Sequence, residues 1–384
     1  MLRNLIIWLS RKYNAKILFL IFTKDEDAKK DILFSLVRKH IPITYYDVIV
    51  KPIKTFTYSG LFISRILKSR LFSFLASYRN LIRIISDVLK DVDYDLMVNS
   101  TGIAPVLIDN EILYVQPGSM DLCTGEFLSD TYRRFFWYIL ARHAKEIRQL
   151  IRERKLLLIT NSKFTKVFFS KLYETEEIYT IYPRSILMDL LAKRTIKKHE
   201  EDETKLVISY TRFVRGKKFE DLIKAIIILR RKLKDNYRVM LAGFAQDMRY
   251  IRTLINKAQK VKQIVSFSFN LSRQEALNLL LQSDIYVHTS RCEPFGLSVL
   301  EAMGAKNAIV SHMSGGPWLD ILEKGKWGLG YKNAEELAMT LSNLLKNDDY
   351  LEEYQELARI RFEYFEKRNS SEEFVNLVKS YFNI

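Results

Sequence analysis

The chain has 384 residues, 61 Lys and Arg against 45 Asp and Glu, a formal charge of +16, and 48% apolar with 28% charged residues. That balance excludes a disordered chain, and the length suits two domains, each with its own core. The apolar runs are far shorter than the roughly 20 residues needed to cross a bilayer, and the N-terminus lacks a signal-peptide cleavage pattern, so the chain reads as neither membrane-spanning nor secreted.

Short Val/Ile/Leu/Tyr-rich runs alternate with longer amphipathic segments. In chain order, strands are expected in AKILFLIFT, YDLMVNS, ILYVQP, KLLLIT and IYTIYP, then in KLVISYTRF, YRVMLAGF, IVSFSF, SDIYVHTS and NAIVSH. This alternation predicts parallel sheets wrapped by helices. Between the two series lies AKRTIKKHEEDETK, highly charged and without Gly or Pro, which reads as an exposed connection. The expected fold class is α/β, with two Rossmann-like doubly wound domains facing a cleft. The expected boundaries are 1–190, a linker at 191–204, and 205–384 with a C-terminal helix that crosses back. No internal repeat is visible. The only cysteines, Cys123 and Cys292, form neither a CxxC nor a Cys/His cluster. They argue against a disulfide framework or a structural zinc site, and for a reducing compartment.

The most informative stretch is SRCEPFGLSVLEAM, from Ser290 to Met303. A strand ending near Ser290 gives way to helical spacing of Leu297, Leu300 and Met303, so a helix is predicted to start near Gly296. Its free N–H groups make anion-binding ground, and a glycine there lets a ligand approach the backbone closely. Glu293 lies before this joint, and Glu301 lies about 7.5 Å further along the helix axis than Gly296. Two carboxylates around a phosphate-sized positive site match a nucleotide sugar, whose diphosphate lies between a ribose diol and a hexose polyol. Upstream, Arg212 and Lys217 lie five apart on a turn after a strand. Taken alone, the glutamates would more often be a loop charge and a solvated helix residue, and the basic turn a solvated one.

Together these residues resemble the signature of glycosyltransferase family 4, retaining enzymes of the GT-B fold: Glu293, Phe295, Gly296 and Glu301 match its Glu-x-Phe-Gly-x4-Glu pattern. SGGPWLDIL, Ser314 to Leu322, extends the match and is similar to the eukaryotic mannosyltransferases that build dolichol-linked oligosaccharides. The similarity is good from Lys205 to Asn347 and traceable from YVQPGS onward. The resemblance implies a retaining sugar transfer from a nucleotide sugar to a glycan or a polyprenyl-phosphate-linked glycan, with GDP-mannose as donor. It assigns Glu293 to the sugar hydroxyls, Arg212 and Lys217 to the diphosphate, and Glu301 to the ribose. Phe295, Gly296, Leu297 and Ser298 complete the donor side. No metal or other cofactor is expected; DVDYD, 91–95, reads as a surface loop rather than a manganese site.

Three departures are visible. Thr211 stands where the family usually has a glycine before the arginine. Gln116 stands where many members place a histidine near the donor sugar, and a glutamine cannot take a proton. The family's opening strand and glycine-rich turn are missing before the helix expected at residues 1–14, so either the N-terminal sheet is one strand short or the true start lies upstream. Between Lys51 and Lys90 there are eight basic residues and one acidic, interleaved with Leu, Ile and Phe. Part of this segment is expected to pack on the N-terminal sheet and part to contact an anionic bilayer at its cytoplasmic face.

Two other classes compete. A nucleic-acid-binding protein would account for the charge but leaves the glutamates and the cleft unused, and no nucleic-acid partner is expected. Oligonucleotide binding at physiological salt would favour it. A non-catalytic GT-B-like binding protein would keep the cleft without transferring sugar.

Overall fold

The computed structural model describes residues 17–23, 46–52, 96–99, 111–115, 144–185, 187–192, 204–231, 233 and 237–383. Gln116, the acidic run 91–95, the basic segment 53–90 and the charged connection 193–203 lie outside them.

Two parallel strands, β1 (Ile17–Thr23) and β2 (Tyr46–Pro52), pair along seven residues. A second parallel sheet runs β3-β4-β5-β6, with β3 at Met97–Asn99, β4 at Glu111–Val115, β5 at Leu156–Thr160 and β6 at Tyr179–Thr180. β5 is buried at every position, as a central parallel strand covered on both faces must be. Helix α1 (144–152) covers one face with α2 (Lys163–Tyr173), through Ile147, Ile151, Leu156, Leu158 and Phe169.

The C-terminal domain carries six parallel strands: β7 (Lys205–Tyr210), β8 (Tyr237–Gly243), β9 (Val265–Phe269), β10 (Ile285–His288), β11 (Ala308–His312) and β12 (Leu329–Tyr331). Their spatial order is β9-β8-β7-β10-β11-β12, the doubly wound 3-2-1-4-5-6 arrangement. Alternate residues point to opposite faces. Val207, Val239, Ile285, Val287 and Val310 meet α4 (Phe219–Leu229), α5 (Met248–Ala258) and α8 (Ala334–Lys346). Ile208, Tyr286 and Ile309 meet α6 (Arg273–Gln282), α7 (Leu297–Gly304) and α9 (Asp348–Glu366). α6 begins with a full capping box between Ser272 and Glu275.

Tyr182, Leu187, Met188 and Leu191, the last two on helix α3 (Met188–Ala192), pack with Ile208, Phe295 and Phe362 in the C-terminal core. The segment just before the charged connection thus adds apolar side chains, from Tyr182 to Leu191, to the C-terminal core. α10 (Ser370–Phe382) packs Phe374, Val375, Val378 and Tyr381 against Ile112, Leu157 and Ile159 of the N-terminal sheet.

Candidate active site

In this strand order the crossovers from β7 and β10 leave on opposite sides, which opens a crevice at their carboxyl ends. Lys217 comes from a tight turn, Arg215–Lys217, after β7, and Glu293 from the loop after β10. Their side chains form an ion pair and hydrogen bond, the Lys217 ammonium donating to a Glu293 carboxylate oxygen. Lys217 is buried, only 5% exposed. Its carbonyl accepts from the Thr289 hydroxyl at 2.5 Å, which ties the turn to the end of β10. Burial acts to raise the Glu293 pKa, but attraction to Lys217, with a smaller pull from Arg212, holds it below the ordinary glutamate value. Arg212 is exposed just beyond β7.

The loop carrying Glu293 is fixed by backbone contacts. The Gly316 amide donates to the Glu293 carbonyl at 2.8 Å, and the Cys292 amide to the Ser314 hydroxyl at 3.0 Å. A Cβ on Gly316 would lie 2.2 Å from the Pro294 oxygen, so only glycine allows this approach. Gly296 adopts φ +99° at the N-cap of α7, and its Cβ would meet Pro317 at 2.8 Å; both facts require glycine there. Beyond it, Leu297 is exposed and Ser298 is half-buried, its hydroxyl 2.8 Å from that of Tyr286.

Glu301 lies in the second turn of α7 and accepts from the Ser185 hydroxyl, which comes from the crossing between the two domains. Burial raises its pKa, and the Ser185 bond partly opposes this. Phe295, expected on the donor side, is instead in the core: it is 2% exposed and stacks on Tyr182 at 5.3 Å, with Phe365 edge-on at 6.0 Å. Its position holds the Glu293 loop from behind; an aromatic next to a glycine in a motif does not reveal which way it points. Cys292 is disulfide-bonded, contrary to the expectation from the cysteine count. A single bridge needs only two cysteines, and the other, Cys123, lies outside the described residues.

Two further residues, one beside the crevice and one at the joint to the N-terminal domain, were not singled out as functional from the sequence. His288 ends β10, is 2% exposed, and burial drives its pKa down to about 4, so it is neutral at neutral pH. Asp320, in a short π-helical turn at Pro317–Ile321, accepts from the amides of Lys163 and Phe164 at 2.6 and 3.1 Å and from the Tyr182 hydroxyl at 2.9 Å. It thus caps α2 of the N-terminal domain together with Ser162, whose hydroxyl accepts from Thr165 N.

Residues 192–361 match the family described as Glycosyl transferases group 1. The GDP-Man:Man(3)GlcNAc(2)-PP-Dol alpha-1,2-mannosyltransferase of Dictyostelium discoideum is 22% identical over 255 residues, 62% of this chain and 50% of that protein. A probable sucrose-phosphate synthase of Thermosipho melanesiensis is 31% identical over 168 residues, 43% of this chain and 36% of its own. The chain thus spans half or less of the length of these relatives. Among solved structures, Anabaena Alr3699/HepE, in complex with UDP, superposes over 95% of this chain and all of its own, with TM-score 0.63 and 16% identity. The chain has the GT-B fold, and its residues 192–361 are similar to glycosyl transferases group 1. It is similar to the mannosyltransferases of the dolichol pathway.

Proposed function

We propose that this protein is a retaining glycosyltransferase that moves a sugar, mannose in our reading, from a nucleotide sugar to a glycan or lipid-linked acceptor. The observation that carries this reading is the buried Lys217 ammonium set against the Glu293 carboxylate at the switch-point crevice, with Arg212 beside it. Arg212 and Lys217 face the charge that develops on a departing diphosphate, where fixed cations in a water-poor site lower the barrier most. Glu293 accepts from sugar hydroxyls, helped by the free amides at the start of α7, and Glu301 accepts from the ribose once Ser185 yields it. The bond between the anomeric carbon and the phosphate oxygen breaks, a bond to the acceptor oxygen forms on the same face, and the acceptor proton passes to the departing diphosphate. No step requires a base at Gln116, and none requires a metal.

The named donor of the Dictyostelium relative supports GDP-mannose, whereas the UDP of the Anabaena structure keeps uridine donors in the comparison. Thermal-shift and donor-hydrolysis screening across UDP-, GDP- and ADP-sugars, with and without EDTA, tests the proposal. A GDP-sugar is expected to stabilise the wild type more than Glu301→Ala, with turnover indifferent to chelation. Failure of every nucleotide sugar to shift the wild type would sink the enzyme reading.

Among the described residues no helix is long and apolar enough to cross a membrane. We place the protein at the cytoplasmic face of an anionic bilayer, as a lipid-linked acceptor requires. Liposome flotation is expected to depend on anionic lipid, and indifference to lipid charge overturns that placement.

A further inference from the structure

The Lys217 ammonium and the Glu293 carboxylate are each engaged by the other, yet the proposed donor needs both. Its diphosphate calls on the ammonium, and its hexose calls on the carboxylate. While the pair stands, the positive charge in the crevice is offset and one carboxylate oxygen is occupied. His288, the ionisable ring nearest in the chain, is neutral and brings no compensating charge. Arg212 is exposed, so solvent weakens its pull on Glu293. Lys217 therefore supplies the charge that balances the largely enclosed Glu293.

We infer that the Lys217–Glu293 pair is a self-occluding latch that an intact nucleotide sugar opens and a bare nucleoside diphosphate does not. This rests on the functional reading above and adds a selectivity to it. An intact donor gives each partner a replacement: phosphate oxygens for Lys217 and sugar hydroxyls for Glu293. A nucleoside diphosphate gives only the first, so it must draw Lys217 away and leave a largely buried carboxylate without its counter-charge, a costly state. The latch thus favours the loaded donor over the spent nucleotide. After transfer removes the sugar, Glu293 takes Lys217 back and helps to expel the product.

The test is calorimetric titration of GDP, UDP and their hexose conjugates into wild type, Glu293→Gln, and the double variant Lys217→Met with Glu293→Gln. Removing the carboxylate charge frees Lys217, so the nucleoside diphosphate is expected to bind Glu293→Gln on the order of tenfold tighter than wild type. The nucleotide sugar, deprived of its carboxylate, is expected to lose affinity in the same variant. The gain for the diphosphate vanishes in the double variant. If Glu293→Gln does not fold, Glu293→Asp, which withdraws the carboxylate by one methylene, is expected to change both affinities in the same directions by less. Diphosphate binding that is no tighter in a folded variant, or a gain that survives Lys217→Met, overturns the latch and leaves the enzyme reading standing. Absence of binding by every nucleotide to every protein overturns the enzyme reading, and the latch with it.

Discussion

The donor crevice and the joint to the N-terminal domain lie a few residues apart on the Ser314–Leu322 loop, yet they are held by different means. The crevice is set by backbone sterics and one ion pair: Gly316 against Pro294, Gly296 against Pro317, and Lys217 against Glu293. The joint is set by one buried carboxylate, Asp320, that collects hydrogen bonds from Lys163, Phe164 and Tyr182, residues more than a hundred positions away in sequence. Arg361 fixes the other side of that turn by donating to the carbonyls of Asp320 and Ile321. Local covalent shape fixes the first region, whereas contacts between residues far apart in sequence fix the second.

The largest expected effect falls on the crevice. Lys217→Met removes the cation proposed to face the leaving diphosphate, and kcat/KM is expected to drop about 100- to 1000-fold, as for loss of one preorganised charge-stabilising donor. Steady-state kinetics on the donor that the screen identifies checks this. A loss below about threefold would move the diphosphate elsewhere and break the contrast at its root.

Gly316→Ala tests the steric half of the crevice. The added methyl meets backbone at Pro294 and Phe295 rather than a flexible side chain, so the Glu293 loop itself must shift. Overpacking of this kind costs about 1–3 kcal/mol, expected as a lowered denaturation midpoint together with weaker binding of the nucleotide sugar. Unchanged binding would show that the loop is not fixed by this approach.

The same division decides what can be read from the sequence. Glu293, Gly296, Glu301, Arg212 and Lys217 stand out because their roles depend on residue type and short spacing, which a sequence displays directly. β12 escapes notice because Leu329-Gly330-Tyr331 offers a glycine where a strand pattern wants a β-branched residue. β2, at Tyr46–Pro52, is likewise absent from the expected strands although its DVIV run is strand-like. Phe295 shares a motif with functional residues, but its orientation is decided by Tyr182 and Phe365, far away in the chain. Asp320 looks like any acidic residue after a glycine pair, and only tertiary structure sets the Lys163 amide on it. The ion pair follows the same rule: the two partners could be picked out separately, but their contact could not.

His288 sharpens the electrostatic side of the contrast. Its pKa is about 4 in the folded protein against an ordinary value of 6.5. The unfolded chain therefore takes up more protons between those limits, and stability, fully present above pH 6.5, is lost as pH falls toward 4. The contribution is up to about 3 kcal/mol. Urea midpoints measured across this window should fall more steeply for wild type than for His288→Gln. Parallel curves would mean that the ring is not buried as a neutral group. Glu293 adds to the slope lower down: its folded pKa is depressed, so its contribution is present above about pH 4.5 and is lost as pH falls through the lowered value.

The smallest expected effect, and the one that separates the two regions most cleanly, is that of Asp320→Asn. An amide side chain has one acceptor oxygen where the carboxylate has two, and it also loses the charge that favours the α2 N-terminus. At least one of the Lys163 and Phe164 amides is then left short of its acceptor, at a cost of about 1–3 kcal/mol. Burial already raises the Asp320 pKa, which offsets part of that loss and keeps the effect modest. A lowered urea midpoint is expected, along with faster amide exchange at the start of α2. Nucleotide-sugar affinity should stay within about twofold, because the Lys217–Glu293 crevice does not depend on this bond. Should affinity fall as far as in Gly316→Ala, the joint and the crevice would be one mechanical unit, and the distinction between a locally fixed donor site and a joint fixed from far along the chain would have to be given up.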